Sequence, residues 1–388
     1  MRQKSLKEDF KKILLAPFGF KYYHHAPDYI LIGALGLILL FGLIMLSSAS
    51  SVAAFQKFGD SYYFFKHQLL NGLIPGIIGF FIASQIDYRI WKKYAFAMLV
   101  ISVVLLVLVF IPGIGEDYGK AHSWISVGPI GFQPTEIVKM TFLIYLASWL
   151  EKKGARGLKD VEYGFLPFLF ALGLIIVLVM AQPDLGTLLV IIAISFFVYF
   201  IAGAPYKHIL GLIIGGLILL FISIQVAPYR LARLTAFFKP EIDPQGISYH
   251  ITQAKLAVGS GGFIGLGIGK SRQKFNYLPE VYGDSIFAII AEEMGFIFSI
   301  ILILLFLTLV IRGLKIARGS PDDFAKLLAA GITVWFAFQA FINIATMVGL
   351  FPLTGIPLPF ISYGGTAMAI SMLAVGILIN ISKQTKNI

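Results

Sequence analysis

Residues 94–111 read Tyr-Ala-Phe-Ala-Met-Leu-Val-Ile-Ser-Val-Val-Leu-Leu-Val-Leu-Val-Phe-Ile, without a single charge. The stretches 163–183 and 209–229 are uncharged as well. A helix of about 20 apolar residues crosses about 30 Å of hydrocarbon, so runs of this kind can span a bilayer. The strands of a membrane barrel would instead alternate apolar and polar residues. The whole chain of 388 residues is 58% hydrophobic and 13% charged, where a soluble domain carries about 25% charge. A larger soluble core does not explain that deficit, because a soluble surface still needs charge. A soluble enzyme and a disordered binder are therefore excluded. The fold class is all-α, a polytopic membrane protein.

Apolar runs and polar breaks predict ten transmembrane helices, at 29–50, 67–86, 93–112, 134–150, 163–182, 185–202, 207–228, 285–312, 327–350 and 362–382. The first run is too long for a signal-peptide core and no Ala-x-Ala site follows it closely, so it reads as an uncleaved span. An even count puts both termini on one side. Sorted by side, 20 of the 31 basic residues fall with the termini. Seven of the other 11 lie in one long loop, where the positive-inside rule has little force. Both termini are thus expected in the cytoplasm. The formal charge of +11 follows mainly from topology, which argues against a nucleic-acid partner. One integral domain is expected at 29–382, after a basic cytoplasmic segment at 1–28 and before a short tail at 383–388. Cysteine is absent, which rules out disulfides, thiol catalysis and zinc–thiolate sites.

The large outer loop, 229–284, precedes the eighth span and holds 11 of the 51 charged residues. Loops this long usually carry function. Arg230, Arg233, Lys239, Lys255, Lys270, Arg272 and Lys274 face Glu241, Asp243, Glu280 and Asp284 in composition. An anionic substrate at the membrane surface and a solvated loop near lipid headgroups explain this equally well. Residues 248–258 suit a short amphipathic helix. Six glycines between 259 and 269 end in Gly269-Lys270-Ser271. The phosphate-loop pattern fails at Ile264, and the dinucleotide fingerprint fails there too. Backbone that lets a bulky ligand approach closely is the better reading.

Asp284 sits where this loop enters the eighth span. A carboxylate there serves either as a helix cap or, at a dry interface, as a base of raised pKa. Glu292 and Glu293 follow inside the span, where carboxylates are expensive and either functional or paired. Being adjacent on a helix, they are expected not to share a partner. Glu136 and Lys139 stand i,i+3 at the start of the fourth span, as an ion pair or with Lys139 facing an anionic headgroup. Asp184 reads as the cap of the sixth helix. Adjacent His24 and His25 offer no metal spacing.

Three blocks together resemble the SEDS (shape, elongation, division, sporulation) family, which includes the FtsW and RodA proteins. One is Ala121-His122-Ser123-Trp124-Ile125 with Phe132-Gln133-Pro134-Thr135-Glu136 and Lys139. Another runs from Gly259-Ser260-Gly261-Gly262 through Gln273-Lys274-Phe275-Asn276-Tyr277-Leu278-Pro279-Glu280 to Asp284-Ser285-Ile286-Phe287-Ala288 and Glu292-Glu293-Met294-Gly295-Phe296. The last is Gly355-Ile356-Pro357-Leu358-Pro359-Phe360-Ile361-Ser362-Tyr363-Gly364-Gly365. The likeness covers essentially the whole chain. Its strings look closer to the division (FtsW) branch than to the elongation (RodA) branch.

The resemblance implies a peptidoglycan glycosyltransferase that polymerises lipid II, an undecaprenyl-pyrophosphate disaccharide-peptide, on the outer face of the bacterial cytoplasmic membrane. It implies a class B penicillin-binding protein as partner, together with other division or elongation membrane proteins. The family's essential carboxylate corresponds to Asp284, its Gln-Lys pair to Gln273 and Lys274, and its Gln-Pro-Ser/Thr-Glu…Lys block to Glu136 and Lys139. Asp284 is then the catalytic base, and Lys274, Lys255, Lys139, Arg272, Glu136, Trp124 and Glu280 are candidates for substrate binding. No cofactor is fixed; a divalent cation, magnesium or manganese, is an open addition. Many relatives have Arg where Ser123 stands here, so another base must serve if that Arg binds pyrophosphate. Many also read His-Thr before the Asp, where this chain has Tyr282-Gly283. Two other classes fit the composition: a lipid II flippase and a non-catalytic membrane scaffold. Transporters often show repeats and ionisable groups near the midplane, and neither is visible in this sequence.

Overall fold

The computed structural model describes residues 25–118, 121–127, 130–226, 228–243, 246 and 248–385. Most of the expected leader and the last residues of the tail therefore lie outside the described residues. The chain opens with α1 (Tyr29–Phe58), α2 (Tyr63–Gln85), a short α3 (Arg89–Lys93) and α4 (Ala95–Leu108). An antiparallel sheet follows, β1 (Gly115–Tyr118), β2 (Ala121–Val127) and β3 (Ile130–Phe132), in that order. Then come α5 (Pro134–Gly157), α6 (Val161–Met180), α7 (Leu185–Ile201), α8 (Tyr206–Val226), α9 (Pro228–Phe238) and α10 (Tyr249–Ser260). The chain closes with α11 (Ile286–Arg318), α12 (Asp323–Met347) and α13 (Gly365–Ser382).

Helix occupies part of each of the ten predicted stretches. Six helices, α1, α2, α6, α11, α12 and α13, are long and apolar enough to cross a membrane. Helices α4, α7 and most of α8 are apolar but shorter. The core centres on α12 and α13, whose Trp335, Phe336, Leu328, Val375 and Leu378 are fully buried. Leu37, Leu40, Phe96, Phe170 and Leu217, in contrast, stand exposed on the outer helices, as expected where lipid is the solvent. Helix α13 packs along α2, and small residues bring the two backbones close; a Cβ on Gly376 would stand 2.6 Å from the Phe80 carbonyl oxygen.

Polar ties bind the end where α11 finishes and α12 begins. Arg312 Nε lies 2.8 Å from Asp28 Oδ2, and the Tyr88 hydroxyl donates to Asp322 at 2.6 Å. Asp184 caps α7 by accepting from the Thr187 N–H at 3.0 Å, as its position in the sequence suggested.

The predicted long loop is partly ordered into α9 and α10, the latter close to the predicted 248–258. Its glycine-rich part also packs against a helix. Helix α11 breaks at Gly295, where φ is 74° and ψ is −173°, a region that is essentially glycine-only. Four backbone bonds from the loop fill the break. Leu266 and Gly267 N–H donate to the Glu292 and Glu293 carbonyls at 3.0 and 2.9 Å. Phe296 and Ile297 N–H donate to the Gly262 and Phe263 carbonyls at 2.9 and 3.1 Å. Two of the glycines, Gly261 and Gly265, thus admit the backbone of α11, whereas Gly259, Gly262 and Gly269 face open space. Gly265, at φ +80°, touches α11 so closely that a side chain there would overlap the Glu293 carbonyl. Irregular backbone inside a membrane protein persists where protein satisfies its polar groups.

Candidate active site

Asp284 ends a turn that begins at Glu280. Glu280 has φ +50°, and its carbonyl accepts from Gly283 N–H at 2.9 Å and Ser285 N–H at 3.2 Å. Ser285, not Asp284, takes the N-cap position of α11, and no side chain caps that helix. The capping role weighed for Asp284 is therefore not the one the geometry gives it. The neighbouring backbone is held by other groups. Asn343 Nδ2 of α12 donates to the Asp284 carbonyl at 2.7 Å and to the Ile356 carbonyl at 2.8 Å. The Ser362 hydroxyl donates to the Gly283 carbonyl at 2.7 Å, and Tyr363 N–H donates to the Tyr282 carbonyl at 2.8 Å. The proline-rich 351–364 segment thus cradles the turn. A Cβ on Gly355 would stand 3.9 Å from Asp284 Oδ2, so glycine keeps that side of the carboxylate open.

On the other side stands α10. His250 Nε2 approaches the Ser285 hydroxyl at 2.6 Å, and that hydroxyl lies 3.4 Å from Asp284 Oδ1. Burial pushes the Asp284 carboxyl up to about 6, against the opposing pull of Arg233 and of hydrogen bonds. Burial pushes His250 down to about 4, with Glu280 pulling the other way, so the imidazole is neutral at pH 7. Glu280 is raised by burial and by the Asp284 charge, and lowered by Lys57. Lys57 Nζ also donates to the Tyr282 hydroxyl at 3.2 Å. The Tyr282 ring stacks on Phe64 at 4.2 Å. One acidic pair, one neutral imidazole and two cations therefore converge around a half-buried turn.

The predicted binding residues divide. Glu280 belongs to the Asp284 turn. Lys255 is exposed on α10 and lies alongside Gly349; Arg272 is exposed too. Trp124 is half-buried in β2, opposite Glu116 in the β1 register. Lys274 is spent internally: its ammonium contacts Glu293 Oε1 at 3.0 Å, the Gly269 carbonyl at 2.7 Å and Ser48 Oγ at 3.3 Å. Lys139 is 2% exposed, 2.8 Å from Glu136 Oε2, and donates to Gln339 at 3.0 Å beneath the Trp335 ring. Neither of these two ammoniums is directed at Asp284 in this arrangement. The expectation that Glu292 and Glu293 share no partner is corrected. Ser271 gives its hydroxyl to Glu292 and its N–H to Glu293 at 3.2 Å, so one residue of the loop serves both carboxylates.

Sequence reasoning missed His250, Arg233, Lys57 and Asn343 as site residues. Asn343 left a signal: with Gln339 it puts amides four residues apart on one face of an apolar helix. Among the described residues, no group of three or more His, Asp or Glu side chains is placed to hold a metal ion. Asp284 and Glu280 alone do not form a cation cage, and no step is routed through a metal.

The chain as a whole matches known proteins. The family model described as cell cycle protein, covering FtsW, RodA and SpoVE, matches residues 28–387. The chain belongs to the FtsW/RodA/SpoVE family. A probable peptidoglycan glycosyltransferase FtsW from Trichlorobacter lovleyi is 41% identical over 375 residues, covering 97% of each chain. Stage V sporulation protein E of Bacillus subtilis is 43% identical, over 93% of this chain and 98% of its own. Among solved structures, a chain of a peptidoglycan synthase complex superposes with a TM-score of 0.76 at 25% identity, covering 92% of this chain and 98% of that one. RodA of Thermus thermophilus superposes at 0.68 with 24% identity, over 93% and 98%, and shows that the FtsW/RodA/SpoVE fold is shared.

Proposed function

We propose that this chain is a lipid II-polymerising peptidoglycan glycosyltransferase, working from the outer surface of the bacterial cytoplasmic membrane in cell division or cell-shape maintenance. The reading rests on family membership, and the observation that carries it is the Asp284 carboxyl. That carboxyl is raised to about 6, so it is ionised at neutral pH yet basic enough to accept a proton. A general base works best when its pKa lies near the working pH.

Asp284 takes the proton of the acceptor sugar 4-hydroxyl. The oxygen then attacks the anomeric carbon of the lipid-linked donor and inverts it. The new bond is the glycosidic C–O bond; the bond broken joins the anomeric carbon to the pyrophosphate, which leaves on undecaprenol. Arg233, beside Asp284, is the nearest cation for the developing phosphate charge. Exposed Lys255 and Arg272 supply further positive charge, and Lys57 stands at the Tyr282 edge. The polyprenyl tails lie against the exposed apolar helix faces.

The topology that serves this chemistry has ten spans, with both termini in the cytoplasm and Asp284 outside. The partner is a class B penicillin-binding protein that crosslinks the product; support comes from the likeness to a peptidoglycan synthase chain. The test is Asp284→Ala in the purified complex with lipid II. Loss of glycan product is expected, and normal polymerisation would sink the reading.

A further inference from the structure

Two cavities open along α5, one of them at the end of the molecule opposite Asp284. Asp284 precedes the N-terminus of the 33-residue α11, whereas Arg89 reaches Asp322, in the turn after its C-terminus, at 3.5 Å. Next to Arg89 is a cavity of about 480 Å³, lined by Arg89, Lys92 and Lys93 at α3 and by Ser148, Glu151 and Lys152 of α5. The lining holds four cations and one carboxylate; Lys92 Nζ lies 2.7 Å from that Glu151, and Arg89 is 3.5 Å from both Asp87 and Asp322 beyond the lining. That leaves Lys93 and Lys152 as the unpaired charges: neither has a carboxylate partner among the described residues, and both are exposed.

A second cavity, of about 550 Å³, opens between α4, α5 and α6. Leu99, Tyr145, Leu166, Phe170 and Leu174 line it, with Glu162 the charged group there. Tyr145, Ser148 and Lys152 follow one another at i, i+3 and i+7, so they share one face of α5. Tyr145 of the apolar cavity and Ser148 of the basic one are therefore less than one turn apart, with Lys152 one turn further along that face. Aromatic rings mark the level of a membrane–water boundary: Lys93 Nζ lies 5.5 Å from the Tyr94 ring, and Lys153 Nζ lies 5.7 Å from Trp149.

We infer that these paired cavities form a binding site for an anionic phospholipid, with its phosphate headgroup among Arg89, Lys93 and Lys152 and an acyl chain in the groove between α4, α5 and α6. Charge complementarity selects the head, and basic pockets between membrane helices are suited to phosphate lipids. The adjoining apolar groove selects a lipid over a free phosphate or an acidic protein. The site lies apart from the glycosyl-transfer chemistry and is occupied by a membrane lipid that is not consumed.

The experiment uses the full chain in mixed micelles holding equal phosphatidylglycerol and phosphatidylcholine, with retained lipids counted by native mass spectrometry. Phosphatidylglycerol is expected to be enriched. The exposed double variant Lys93→Gln/Lys152→Gln should cut that enrichment by about fivefold for each lysine removed. Lys270→Gln, on the other face, should leave it unchanged. Leu174→Trp, which fills the groove while keeping every cation, should also reduce retention. Undiminished enrichment in the double variant would overturn the inference. So would displacement of the lipid by equimolar free glycerol phosphate, which would mean a head-only anion site.

Discussion

His250 Nε2 stands 2.6 Å from the Ser285 hydroxyl, which makes a helix of the long outer loop a direct support of the carboxylate turn. In the tautomer of the neutral imidazole that carries its proton on Nε2, His250 donates to Ser285 Oγ and leaves the hydroxyl proton for Asp284 Oδ1 at 3.4 Å. That hydrogen bond favours the ionised carboxylate. Ser285→Ala should therefore raise the Asp284 pKa and move the acid limb of polymerisation to higher pH. His250→Ala should act in the same direction and lower the rate by about tenfold, less than the roughly 100-fold minimum for loss of a general base itself. An unshifted pH profile in both variants would show that the chain of contacts does nothing for Asp284.

The pH dependence of the native enzyme follows from the same group. A base must be deprotonated, and Asp284 is protonated below about 6. Polymerisation should fall as pH drops through that value, whereas an ordinary aspartate would hold its activity down to about 4. Arg233→Gln removes the charge that opposes the rise, so its acid limb should appear at higher pH. Asp284→Asn should cost about 100- to 10,000-fold in rate, read as glycan product per minute.

Lys274 separates a structural role from a substrate-binding one. It is 4% exposed and paired with fully buried Glu293. Lys274→Met would leave Glu293 charged and unpaired, at a cost of about 3–5 kcal/mol. A large loss of thermal stability is expected, with part of it recovered by adding Glu293→Gln. A raised KM for lipid II with an unchanged melting temperature would instead place Lys274 on the substrate.

Gly295→Ala tests the break in α11. Its backbone conformation alone costs a non-glycine residue about 1–3 kcal/mol, and the new methyl group would meet the Ile264–Gly265 backbone. A lowered melting temperature and faster proteolysis between residues 261 and 274 are expected. A melt equal to that of the unaltered protein would mean that the loop can move aside at no cost.

Much of this was legible because bilayer physics writes itself into composition. Uncharged runs such as 94–111 mark helices whatever surrounds them, and Asp284 stood out as a carboxylate at the mouth of one. The helix at 249–260 was readable from its amphipathic pattern. What stayed hidden depends on pairing across distance. The short strands of 115–132 gain their identity only from one another. Lys274 resembled a surface cation until Ser48, from 226 positions away, closed over it. Arg233 and His250 carried no motif, and only the packing of α9 and α10 brings them to the turn.

The stitched break in α11 also bears on how the protein is made. Glu292 and Glu293 are expensive groups to place in a span, yet among the described residues the donors to their side chains, from Ser48 and from 271–274, come earlier in the chain. So do the carbonyls that receive the Phe296 and Ile297 amides. When the ribosome adds the two glutamates, their complete receptor has already been synthesised. The order of the sequence thus spares the nascent helix a passage through lipid with two bare carboxylates.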